Sequence, residues 1–191
     1  MVSGLLKVLT LSTCLAVVAI VVVAPSSSEA LEAYLTVQGI SQGVIHGDSK
    51  VKAAPGAIVV QAIGLGLTVE TATVGGAGGA QVGRADVAPL KIAKLPDQAS
   101  PKLLLAALTG EVLKVDLTWF GADLPGGPVS KTFSITLEGA IIVEIDTSGA
   151  TTVLNGVSEQ VSFKFNKITY RDERVSPAIV TCWDLTLNRK C

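Results

Sequence analysis

Asp97-Gln98-Ala99-Ser100-Pro101-Lys102-Leu103-Leu104-Leu105-Ala106-Ala107-Leu108-Thr109-Gly110 is the one stretch of this chain that reads as a convincing helix. Ser100 offers a hydroxyl to the free backbone donors of a first turn. Pro101 suits the first helical position, where a missing N–H costs nothing. Gly110 ends the run as a residue able to take the left-handed conformation. At two to three turns the helix Pro101–Thr109 is too short to be stable alone, so it must lie against a sheet.

Working outward, the rest of the chain reads as strand and turn. Leu31, Ala33, Leu35 and Val37 alternate with Glu32, Tyr34 and Thr36 up to Gly39, the period of a half-buried strand. Residues 38–56 form a polar loop that holds His46. A second strand is expected over Ala57–Glu70, with Gly64 and Gly66 marking a bend. Residues 74–80 are glycine and small residues with almost no conformational preference. A third strand, Asp86–Lys94, carries Pro89 at an edge or bulge. Beyond the helix follow Glu111–Phe120, a tight turn at 123–128, Lys131–Thr147, and Glu159–Tyr170. In the last of these a bulge near Asn166 is needed to bring Ile168 onto the face of Val161, Phe163 and Phe165. The fold class is mainly β, a two-sheet antiparallel barrel or sandwich with one short flanking helix.

The N-terminus sets the compartment. Lys7 is followed by an uncharged, largely apolar run from Val8 to Ala24, then Pro25 and the small residues Ser28 and Ala30. This is the pattern of a cleaved secretory signal, residues 1–30, with cleavage between Ala30 and Leu31. The alternative is an uncleaved anchor, for which the run is short: a bilayer core takes about 20 apolar residues. Removing 30 of the 191 residues leaves 161, one domain able to bury roughly 70% of its unfolded surface. The expected location is therefore exported, periplasmic or extracellular. Membrane contact is expected only through the signal segment before cleavage. In an oxidising compartment Cys182 and Cys191 read as a disulfide.

Composition removes several function classes. Fifteen Lys and Arg against sixteen Asp and Glu give a net charge of −1, so there is no basic excess for nucleic acid. His46 has no nearby Cys or second His and reads as a solvated loop residue, giving neither a metal site nor a nucleophile pair. Ser49-Lys50-Val51-Lys52 fits S-x-x-K only formally, with no helical pattern behind it. The glycines lack the Lys-Ser/Thr of a phosphate loop and the third glycine of a dinucleotide fingerprint. Glu138 with Glu144, and Asp172 with Glu173, are the available carboxylate pairs, at strand edges and turns where charges are solvated. No enzyme activity and no cofactor are expected.

Several segments, in order along nearly the whole of 31–191, resemble the hemolysin-coregulated protein (Hcp) family, the tube protein of type VI secretion. They are Leu31–Ile40; the glycine-rich Val74–Gly83 before a strand; Asp97-x-x-Ser100-Pro101-x-Leu103-Leu104 with Thr109-Gly110; Phe133-Ser134-Ile135-Thr136-Leu137-Glu138; the Glu159–Tyr170 strand; and Cys182-Trp183-Asp184-Leu185, with Cys182 where the family has glycine. The resemblance implies a β-barrel that assembles with copies of itself into a hexameric ring. Such rings stack into a hollow tube whose lumen holds small effector proteins. It places Gly75, Gly76, Gly78 and Gly79 in a loop that helps one subunit or ring meet the next, and it transfers no catalytic residue. Two features depart from the family. Ala57–Glu70 has no tryptophan, and tube proteins leave the cytoplasm without a cleavable signal. A second reading follows: an exported relative that keeps the barrel as a binding or structural module outside any injection machine.

Overall fold

The computed structural model describes residues 32–72, 81–122, 129–149 and 156–191. The expected signal segment, the cleavage site Ala30–Leu31, the glycines at 75–79 and the 123–128 turn lie outside the described residues. Strand β1 (Glu32–Gly39) is the axis of the first sheet. It pairs along its whole length with β8 (Leu113–Ala122), from Glu32 opposite Phe120 to Gly39 opposite Leu113. Its other edge is shared by β2 (Gly43–Ile45) and β3 (Ile58–Val60). Ala33, Leu35 and Val37 are buried, as the alternation predicts. Tyr34 on the opposite face is buried too, against the edge of Phe120 at 5.8 Å between ring centres.

The expected strand Ala57–Glu70 is three strands. After β3 pairs with β1, the chain crosses at Gln61, and β4 (Ala62–Gly64) pairs with β7 (Leu90–Lys94) in the second sheet. Gly64 and Gly66 flank the next turn of direction, into β5 (Leu67–Ala72). Among the described residues β5 pairs with β6 (Gln81–Val87) alone, so the two form a separate hairpin. The expected strand Asp86–Lys94 is likewise divided at Ala88-Pro89, where the proline cannot donate to a ladder.

The helix α1 (Ser100–Thr109) starts one residue earlier than expected and ends as expected. Gly110 is left-handed at φ 63°. Its N–H bonds the Ala107 carbonyl and the Glu111 N–H bonds that of Ala106, closing the last turn. Leu103 and Ala106 face the core and pack toward β9. Strand β9 (Val129–Gly149) serves both sheets. It lies beside β8 up to Ala140 and beside β11 (Lys167–Asp172) up to Glu138; from Ile141 on, its partner among the described residues is β10 (Val157–Lys164) alone. Gly139 makes this change of sheet possible with φ 61°, a conformation costly for other residues.

A bulge near Asn166 is not what joins the last strands. The chain leaves β10 at Phe165-Asn166 and re-enters the first sheet as β11. The Asn166 N–H bonds the Glu138 carbonyl at 3.1 Å, and the Asn166 carbonyl accepts from the Leu185 N–H at 2.8 Å. The actual register shift in β10 lies at Ser162/Phe163. The sheet closes with β12 (Ile179–Asp184) and the short β13 (Arg189–Lys190). One apolar core, including Leu35, Leu90, Leu103, Leu117, Leu137 and Phe163, fills the space between the sheets under the helix.

Candidate assembly surface

The helix is fixed in place by a buried charge cluster. On β7, Leu90, Ile92 and Lys94 share the inward face; on β10, Glu159, Val161 and Phe163 do the same. The Lys94 ammonium therefore meets Glu159 Oε2 at 2.7 Å and Asp97 Oδ1 at 2.8 Å, and it donates to Ser100 Oγ at 2.9 Å. Ser100 Oγ also accepts the Asp97 N–H at 3.1 Å, while Asp97 Oδ1 accepts the Ala99 N–H at 3.0 Å. Ser100 is thus not the helix cap expected from the sequence. Ala99 precedes the helix without a side-chain cap bond, and the Ser100 hydroxyl is spent on the cluster and the preceding loop. This is the physical content of the Asp97-x-x-Ser100-Pro101 spacing. The period-2 patterns of β7 and β10 were the signal for Lys94 and Glu159.

A second carboxylate fixes the other end of the helix. Glu111 follows Gly110 and turns into the β1–β2 connection, where Oε1 accepts the N–H groups of Ser41 (2.6 Å) and Gln42 (2.9 Å). Its Oε2 accepts the Gln42 side-chain amide at 2.7 Å. The Gln42 side-chain bond, followed by the backbone bonds, holds the Glu111 carboxyl below its ordinary pKa. A side chain at Gly39 would collide with this carboxylate.

Three of the apolar or unpaired features exposed among the described residues suit contact with another chain. The helix presents Leu104, Leu105 and Leu108, the last 77% exposed. The β5–β6 hairpin presents Leu67, 65% exposed, and Val69. The Ile141–Gly149 half of β9 has a partner strand on one side only, so its other edge is open among the described residues. Edges and patches of this kind are where chains meet other chains. The expected assembly glycines 75, 76, 78 and 79 lie outside the described residues, between β5 and β6 in sequence.

The remaining sequence candidates sort as follows. Cys182 on β12 and Cys191 are joined by a disulfide with 5.4 Å between Cα atoms. His46 is exposed. Ser49 is buried with its hydroxyl accepting the Val51 N–H, while Lys50 and Lys52 are exposed. The carboxylates each hold a cation instead of one another: Glu138 pairs with Lys167, Glu144 with Lys91, Asp172 with Arg174 and Glu173 with Lys131. Glu138 and Glu144 also lie on opposite sides of the Gly139 turn. No set of three or more metal-ligating side chains converges among the described residues. No helix among them is long and apolar enough to cross a membrane.

The fold defines an antiparallel two-sheet β protein with one lateral helix and a separate hairpin. The chain belongs to the family described as Type VI secretion system effector, Hcp, whose family model matches residues 34–171. Hcp proteins are secreted structural tube proteins of that system. A search of curated proteins gives no significant match. Among solved structures, a mutant form of Hcp1 from E. coli is 24% identical, with a TM-score of 0.69 over 82% of this chain and 99% of that one. A type six secretion system protein is 21% identical, with a TM-score of 0.71 over 85% and 100%. The secreted protein Hcp3 from Pseudomonas aeruginosa is 26% identical, with a TM-score of 0.60 over 81% and 98%.

Proposed function

We propose that this chain is a non-enzymatic subunit of a homo-oligomeric ring, hexameric as the resemblance implies, with a lumen able to hold small effector proteins. The observation that carries this reading is the β5–β6 hairpin. Among the described residues it pairs with no other strand, and it exposes Leu67 and Val69, so it is an element in want of a partner surface. The open edge of β9 offers backbone groups for the same purpose. Electron micrographs of the exported protein test the proposal: stacked rings are expected, and a monomer at micromolar concentration would sink it.

A second reading is favoured by the Val8–Ala24 segment. If residues 1–30 direct export through a general pathway, rings form in the periplasm or outside the cell, with the Cys182–Cys191 pair oxidised there, and serve as a binding or structural module apart from any injection machine. Neighbouring sheath and baseplate genes support the first reading, and single rings or monomers without such genes support the second. N-terminal sequencing of exported protein starting at Leu31 is expected under the second reading.

A further inference from the structure

Between the β5–β6 hairpin and the C-terminal strands lies a cavity of about 350 Å³. Leu65, Leu67, Ala85 and Val87 form one wall, Ile168 and Trp183 the other, and the lining is wholly apolar. This volume lies within the range of small-molecule pockets, about 300–1,000 Å³. Water against such a wall finds no hydrogen-bond partner, and cavities of this chemistry accept hydrocarbon instead.

A second cavity of about 540 Å³ shares Ala85 and Val87 with the first, so the two adjoin. Its chemistry is different: Asp86, Lys164, Asn166 and Thr186 line it. Asp86 and Lys164 are exposed, and neither has an ion-pair partner among the described residues. The combined slot is apolar at one end and carries one cation, one anion, an amide and a hydroxyl at the other. Leu67 belongs both to this slot and to the hairpin face offered for assembly, so a ring compatible with the slot leaves it open.

We propose that this slot binds a single-chain amphiphile with a zwitterionic head group. The alkyl chain lies between the hairpin and Trp183, the anionic part of the head meets Lys164, and the cationic part meets Asp86. This goes beyond ring assembly, which is read separately by size-exclusion chromatography.

Trp183 supplies the readout. In protein purified after export and carrying Trp119→Phe, the remaining tryptophan reports on the cavity. Bromine-labelled dodecylphosphocholine, kept below its micelle concentration, is expected to quench it saturably. Affinity should rise about fourfold per methylene, up to the length that fills the cavity. Ala85→Phe, which fills the cavity, is expected to abolish quenching. Lys164→Gln should weaken dodecylphosphocholine and dodecanoate alike, by about 1.5-fold to fivefold. Asp86→Asn should weaken only dodecylphosphocholine and tighten dodecanoate. Should Ala85→Phe fail to fold, the two exposed charge variants carry the test alone. Quenching that stays linear with concentration, or that survives in folded Ala85→Phe, overturns the proposal. So does quenching that vanishes on ring assembly, because a second copy then occupies the slot. Tighter binding of dodecanoate than of dodecylphosphocholine overturns the zwitterionic assignment.

Discussion

The ammonium of Lys94 and the carboxylate of Glu159 meet at 2.7 Å inside the protein, and they come from strands 65 residues apart in sequence. Lys94 is fully buried, with Asp97 as its second anion. Removing the cation strands two largely buried carboxylates next to the start of the helix. Lys94→Met is therefore expected to cost about 3–5 kcal/mol. Urea titration of the variant measures this, and a loss below about 1 kcal/mol would show the cluster to be dispensable.

Glu111 makes stability depend on pH. Its folded pKa is lowered, first by the Gln42 side-chain hydrogen bond, so the carboxylate form stabilises the fold. That contribution is present above the ordinary value of 4.5 and is lost as pH falls through the lower folded value. Glu144, Asp172 and Asp184 act in the same direction. Glu111→Gln should lower stability at pH 7 and flatten the acid limb of the curve. Denaturation midpoints from pH 7 down to pH 2 check it. A variant curve parallel to the native one would remove Glu111 from this role.

The parts of the fold that were legible rest on local periodicity. Leu31–Gly39 shows its buried face by alternation, and Pro101 with Gly110 brackets the helix from within one segment. What was not legible is non-local. The apolar text of Ala57–Glu70 runs on through Gln61, although the chain there passes from one sheet to the other, and only the partners β1 and β7 reveal the crossing. Ser100 has the chemistry of a cap, but Lys94 and Glu159 compete for its hydroxyl and win. Of the candidate residues, the glycines and the C-terminal cysteines stood out as composition. The open half of β9 could not, since an edge is defined by the strand that is missing beside it.

Gly139 and Gly110 allow a comparison between two left-handed glycines. Both have φ near 60°, but a side chain at Gly110 meets open space, while one at Gly139 comes within 2.7 Å of Asn166 Nδ2. Gly110→Ala is expected to cost about 1 kcal/mol, the conformational cost alone. Gly139→Ala should cost about 1–2 kcal/mol more, with Asn166→Ala in the same chain recovering part of it. Equal losses at the two sites would mean that the Asn166 contact relaxes freely.

The glycines at 75–79 test the assembly reading separately from folding. Replacing Gly75, Gly76, Gly78 and Gly79 with bulky residues should leave the denaturation midpoint within about 0.5 kcal/mol, the range of surface substitutions. Ring formation should be lost. Size-exclusion chromatography checks it, and an unchanged ring peak would count against these residues as contacts between subunits.

The Cys182–Cys191 bridge closes a short loop, nine residues apart in sequence, that holds β13 against β12. Chain-entropy arguments give a loop of this length about 2–3 kcal/mol. The bridge spans only the last strand pair, so its loss should act locally before it acts on the core around Leu35 and Phe163. Cys191→Ser, with the matching Cys182→Ser, is expected to raise hydrogen exchange in β12 and β13 while leaving β1 and β8 protected. Intact mass of the exported native protein should rise by about two daltons on reduction, one hydrogen for each sulfur. A mass unaffected by reductant would mean that the cysteines are thiols in the compartment where the protein works. The expectation that an oxidising compartment joins Cys182 to Cys191 would then fall, while residues 1–30 keep their own reading as an export signal.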